Sequence, residues 1–207
     1  SKNKGKVQEV VDELKKEKAL IESGSVKLNG NWISPEEAAK DNYNHSARIV
    51  FAKMQTMSKK GNFQEAFNYF EELQNKFLHS IAYTNAISAA LEILPKYDII
   101  LTREEKAYQI RTKEREEQYR SMDAQDKLRT EQAFQSAMKK FQEKVKEAQT
   151  MKKVWLPINQ WDLKSIQGAR QTILKETKKL ESINLTANRT TSVALSNAFL
   201  NVSSGDL

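Results

Sequence analysis

The side chains able to do chemistry are few and scattered. Imidazole occurs twice, at His45 amid Asn42, Tyr43 and Asn44, and at His79 beside Ser80. Both lie where helices are expected to begin or meet, and a histidine in such a place serves as a cap or surface group far more often than as a base. Glu104/Glu105 and Glu116/Glu117 are paired carboxylates within heavily charged stretches, where water solvates them. A di-metal helical bundle would want Glu-x-x-His pairs, and these are missing. Cysteine is absent, which excludes disulfides, thiolate metal sites and a cysteine nucleophile. No His-Glu-x-x-His, glycine-rich phosphate loop, Gly-x-Ser-x-Gly or EF-hand loop is present. The expectation is a protein that is not an enzyme and uses no cofactor or metal.

Residues suited to binding are more numerous. Trp155 and Trp161 bracket Leu156-Pro157-Ile158-Asn159-Gln160, so they either line an aromatic groove or plug the open end of a helical hairpin. The second arrangement is the commoner one. With Tyr108 and Tyr119, these tryptophans are the candidate partner-binding residues. Trp32, on a short ribbon, is expected to lie as a lid on a neighbouring helix. Lys139, Lys140, Lys144, Lys146, Lys152 and Lys153 could face phosphates, but Glu143 and Glu147 interrupt them as i,i+4 pairs on a solvated face do. Asn44-His45-Ser46, Asn184-Leu185-Thr186, Asn188-Arg189-Thr190 and Asn201-Val202-Ser203 match the glycosylation pattern, which recurs by chance in such composition.

The elements that must hold these groups are helical. Residues 4 to 23 repeat Val7, Val10, Val11, Leu14 and Ile21 among Lys and Glu, an amphipathic helix ending at Ser23-Gly24. Asn29-Gly30 between two alternating segments predicts a tight β-hairpin. Ser34-Pro35-Glu36-Glu37 has an N-cap, a proline at the first turn and a returning glutamate, which predicts a helix to about Lys60 burying Ile49, Val50, Met54 and Met57. After a Gly61-Asn62 turn, a helix from Phe63 to about Phe77 carries Ala66, Phe70 and Leu73 on one stripe. A third helix, Ser80 to Leu94, is rich in alanine, and Pro95 is expected to stop it. Tyr97 to Leu101 then reads as a linker. Thr102-Arg103-Glu104-Glu105 predicts the start of the longest helix, reaching Val154. Its half up to Arg129 lacks an apolar stripe, whereas Phe134, Ala137, Phe141, Val145 and Ala148 supply one. Pro157 breaks the chain, and Leu163, Ile166, Ile173 and Leu180 are expected to fold back on that second half as an antiparallel hairpin. Arg103 to Arg129 would then be the free surface for a second chain. The tail from Thr190 has too little apolar content to anchor itself.

Composition sets the limits. The 207 residues are 39% hydrophobic and 29% charged with only 6 Gly and 3 Pro, and mean hydropathy is -0.71. These values favour a helical, surface-rich protein. The net charge of +7 mixes 34 basic with 27 acidic residues, the pattern of a solvated surface rather than a basic patch. No run of about 18 apolar residues spans a membrane. The chain opens at Ser1 rather than Met, as a processed or engineered piece does, so a signal peptide could have preceded it.

Gly61, Phe63, Ala66 and Phe70 together resemble the helix-turn-helix core of a tetratricopeptide repeat, over about residues 47 to 80. Met54 stands where the pattern prefers Gly, and Leu78 where it prefers Pro. The segment Gly30, Trp32, Ile33, Ser34, Pro35 and Glu36 ahead of such a pair is similar to bacterial cell-envelope proteins of unassigned function. The first resemblance implies a scaffold that holds a protein or peptide without a cofactor. The second implies a periplasmic or envelope location, with the cytoplasm as the alternative.

These readings combine into an all-α protein with one β-hairpin. Its expected parts are residues 1–33, a tetratricopeptide-like domain 34–98, the long helix and antiparallel hairpin 99–183, and a polar tail 184–207. The expected function is a non-enzymatic helical scaffold or protein-interaction module. The alternative is a basic helical protein that binds nucleic acid.

Overall fold

The computed structural model describes residues 2–28, 30–35, 42–183, 185 and 190–195. The fold is all-α apart from one ribbon. Helix α1 runs Lys2–Glu22 and closes on Gly24, whose φ of +83° and amide bond to the Ile21 carbonyl make the left-handed helix stop that glycine tolerates best. Strands β1 (Val26–Leu28) and β2 (Asn31–Ile33) pair antiparallel, Lys27 opposite Trp32, as the expected hairpin. Trp32 is half-buried beside the Lys27 ammonium.

Helix α2 spans Asn42–Lys59 and buries Val50 and Met54, with Met57 packed at the margin of the core. Pro35 is helical, and Glu36, Glu37 and the residues to 41 lie outside those described. Gly61 turns the chain at φ +74°, and the Asn62 side chain accepts the Glu65 amide at 3.3 Å to start α3, Phe63–Lys76. Ala66, Phe67, Phe70 and Leu73 on α3 are fully buried between α2 and the next helix.

That next helix departs from expectation. Helix α4 runs unbroken from Ile81 to Ser121, through Pro95 and through the expected linker Tyr97–Leu101. A proline inside a helix costs about 3 kcal/mol. Ala90, Ile93 and Leu94 before it and Tyr97 and Leu101 after it are all buried on one stripe. At about 1.5–3 kcal/mol for each large apolar side chain removed from water, that stripe outweighs the proline. Thr102 is therefore a mid-helix residue and caps nothing.

The break comes instead at Met122, which is extended. Asp123 accepts the Asp126 amide at 2.9 Å and starts α5, Ala124–Thr150. Helix α5 ends four residues before Val154, with Lys152 in the left-handed region at φ 55°. Helix α6, Leu163–Glu181, buries Ile166, Ile173 and Leu180 at heptad spacing. It lays that stripe on α4, and not on α5 as the sequence suggests. One buried cluster joins side chains of α2, α3, α4 and α6 with Trp155. The expected boundary between residues 98 and 99 thus falls inside one helix and across one core. Of the polar tail, residues 190–195 are helical with Ser192 buried, and the rest of the tail beyond 195 lies outside the described residues.

Candidate functional site

Because α6 turns to α4, the space where the second half of α5 and α6 were expected to touch is a cleft of about 270 Å³. Val145 and Gln149 of α5 form one wall, Gly168, Ala169 and Thr172 of α6 the other, and Trp155-Leu156-Pro157 close the back. The floor is apolar, and Asp162, Lys164 and Ser165 give it a polar rim. Gly168 sits inside α6, where glycine costs roughly 0.5–1 kcal/mol relative to alanine. A Cβ built there would meet nothing within 4 Å, so packing does not demand the glycine.

The loop behind the cleft is tightly held. The Gln64 side-chain amide donates to the carbonyls of Trp155 and Leu156 at 3.1 and 3.0 Å, while its own oxygen accepts the Tyr97 hydroxyl at 2.7 Å. Burial pushes the Tyr97 hydroxyl pKa far up, so this donor keeps its proton. Glu71 accepts the Val154 amide at 3.0 Å. The Trp155 ring stacks on Phe67 at 4.1 Å. On the other side, Arg111 donates to the Gln160 carbonyl at 3.1 Å, and the Asp162 carboxylate caps α6 through the Lys164 amide. Replacing Gln64 with leucine leaves two carbonyls and a buried hydroxyl unpaired, and should cost about 2–3 kcal/mol. Urea unfolding measures it; an unmoved midpoint would mean the loop is held without Gln64.

Arg170 fixes α6 to α4, bonding Asp98 at 2.9 Å and Glu105 at 2.5 Å, and Gln167 adds a bond to Glu105 at 2.8 Å. Hydrogen bonds from Gln167 and then Arg170 hold the Glu105 carboxyl below its ordinary value of 4.5. A group whose pKa is lowered by folding stabilises the fold fully above that ordinary value, and loses the contribution as pH falls through the folded value. Glu105→Gln should therefore melt below wild type at neutral pH, with the gap closing on acidification under about pH 4.5. A constant gap would refute the linkage.

The four candidate partner-binding residues do not form one patch. Trp155 is core, 3% exposed, so it offers a partner only the edge that lines the cleft. Trp161 is half-buried, edge-on to Phe134 at 6.2 Å, with the Arg115 guanidinium 3.5 Å over Phe134. Tyr108 is half-buried on α4, and Tyr119 lines a separate 240 Å³ hollow with Arg115, Arg120 and Glu131. The stretch from Arg103 to Arg129 is not uniformly free, since α6 and the Gln160 loop cover part of it. Nor is the stripe Phe134 to Ala148 clamped throughout: Phe141 and Ala148 are buried, and Ala137 is exposed. Gly61, Phe63, Ala66 and Phe70 do converge, in the α2–α3 turn and its core.

The signal that the sequence reading missed was Gly168 on the solvent side of a heptad helix, opposite the Pro157 bend. His45 and His79 stay apart from the cleft; the His79 amide donates to Tyr43. Asn44 is buried at 5% exposure, which leaves no room for a glycan on Asn44-His45-Ser46; Asn184, Asn188 and Asn201 lie outside the described residues. Lys139, Lys140, Lys144, Lys146, Lys152 and Lys153 are all exposed. Among the described residues no three carboxylates or imidazoles stand together as a metal site, and no helix is long and apolar enough to cross a membrane. No protein-family model, curated protein or solved structure matches the chain.

Proposed function

We propose that the protein is a non-enzymatic helical scaffold that receives an apolar anchor of a partner polypeptide in the cleft between α5 and α6. The observation that carries this reading is Gly168, a helix-interior glycine facing open space on the wall of an apolar-floored, polar-rimmed cleft. Its volume suits one or two bulky side chains of a partner segment rather than a whole cofactor. The Gly61–Phe70 turn and core support the tetratricopeptide-like part of the reading, and an envelope location belongs to the same proposal, which cell fractionation tests.

Gly168→Phe fills the cleft without disturbing the core and removes a helix-interior glycine, so the fold should be as stable as wild type or slightly more so. A photo-crosslinking residue at Lys164 or Thr172, introduced in the native cell, should label a discrete polypeptide. The same group at Lys139, an exposed residue of α5 outside the cleft lining, should not. Gly168→Phe should abolish the labelling at least tenfold. Labelling equal to the Lys139 control, or adducts destroyed by nuclease, would overturn the scaffold reading. For generic DNA or RNA we expect affinity no tighter than tens of micromolar near physiological salt. Submicromolar binding that falls steeply with salt would put the nucleic-acid reading first.

A further inference from the structure

Helix α1 stands with its apolar stripe uncovered. Val7, Val10, Val11, Leu14 and Ile21 are between 36% and 63% exposed. Glu17 and Leu20 are half-buried, Glu17 in an ion pair with Lys27 of the ribbon, and among the described residues α1 shares no extensive backbone contact with another helix. Such a helix is poorly suited to stand alone. It contains Gly5 and three β-branched valines, all weak helix formers, and most helical stability in proteins comes from packing an apolar face. Something must cover this stripe.

We infer that α1 pairs in parallel with α1 of a second copy of this chain, as a short two-stranded coiled coil. The spacing supplies a register. Val7, Leu14 and Ile21 are a heptad apart and form one seam row, and Val10 opens the second row. In a parallel pair the residue before a seam position faces the partner's residue five further on. Glu13 and Lys18 are placed so, and the two-fold axis makes the contact twice with opposite charges. Among the described residues, Lys18 pairs within its own chain with the solvent-exposed Glu22 at 3.6 Å. An anionic membrane is a poorer fit, because the six lysines of α1 are nearly balanced by five acidic residues. Glu17 occupies a seam position near the ribbon, which shortens the seam. Dimerisation should therefore be of moderate strength, with Kd of about 1–100 μM.

Sedimentation equilibrium on the full chain tests this. Wild type should pass from monomer to dimer over that range, and Leu14→Glu, at an exposed position, should stay monomeric, with a thermal melt matching wild type at dilutions where both are monomers. Lys18→Glu should weaken the dimer about fivefold, and Glu13→Lys combined with Lys18→Glu should restore it. Since the chain has no cysteine, Val10→Cys in wild-type background reports orientation directly. A parallel pair brings the two thiols together and oxidises to a covalent dimer, whereas Gln8→Cys, off the seam, does not. A wild type that remains monomeric at several hundred micromolar overturns the inference. So does a dimer indifferent to Leu14→Glu, or one that Val10→Cys fails to cross-link.

Discussion

Ala66→Arg should lower unfolding free energy by about 3–5 kcal/mol, enough to unfold most of a marginally stable chain at physiological temperature. Ala66 is fully buried on α3, the helix that packs against both α2 and α4. Its methyl lets these helices come close. An arginine there must either push the helices apart, exposing buried side chains of α2, α3 and α4, or hold an unpaired guanidinium among them. Both routes are costly, and neither leaves a path to water for a side chain of that length. Circular dichroism melts would show a collapsed or absent transition. A melt superimposable on wild type would mean that Ala66 faces solvent and that the α2–α3 pairing is wrong.

Trp155→Ala should cost a similar amount, about 3–5 kcal/mol, by emptying the space against Phe67 and freeing the back wall of the cleft. The indole is stacked within 17° of the Phe67 plane, and its backbone carbonyl is already held by Gln64. Loss of the ring therefore weakens the loop that ties the C-terminal end of α5 to the common core. Trp161→Ala is the instructive comparison. That ring is half-buried against Phe134 and Arg115 at the distal end, so its removal should cost no more than about 1–2 kcal/mol. Guanidinium unfolding of the two variants gives the answer. Equal, small losses would show that Trp155 is a surface group, as its grouping with the other partner-binding aromatics supposes.

Much of the local structure was legible in the residues alone because it depends on neighbours in the chain. The stop of α1 at Gly24, the ribbon around Gly30, the Gly61-Asn62 turn and the heptad of Ile166, Ile173 and Leu180 each follow from a backbone angle or a period that few residues supply. The Asp123 cap with Asp126 three residues on was equally local, and a charged stretch with no apolar period to interrupt hid it. The candidate site was less legible. Its wall residues come from α5, the Trp155 loop and α6, which meet only because of how the helices are stacked.

What sequence by itself determined, then, is where helices can begin and end and which face of each is apolar. Tertiary structure decided which apolar faces meet. Pro95 carries a real local penalty, but the buried stripe from Ala90 to Leu101 exceeds it, so the helix continues. The stripe of α6 would suit α5 or α4 equally by its period. Helix α4 takes it, through an apolar surface joined to the core and through Asp98 and Glu105 waiting for Arg170. The cleft is the space that this choice leaves open. Burial is a property of surfaces brought together from distant parts of the chain, and no window of sequence contains it.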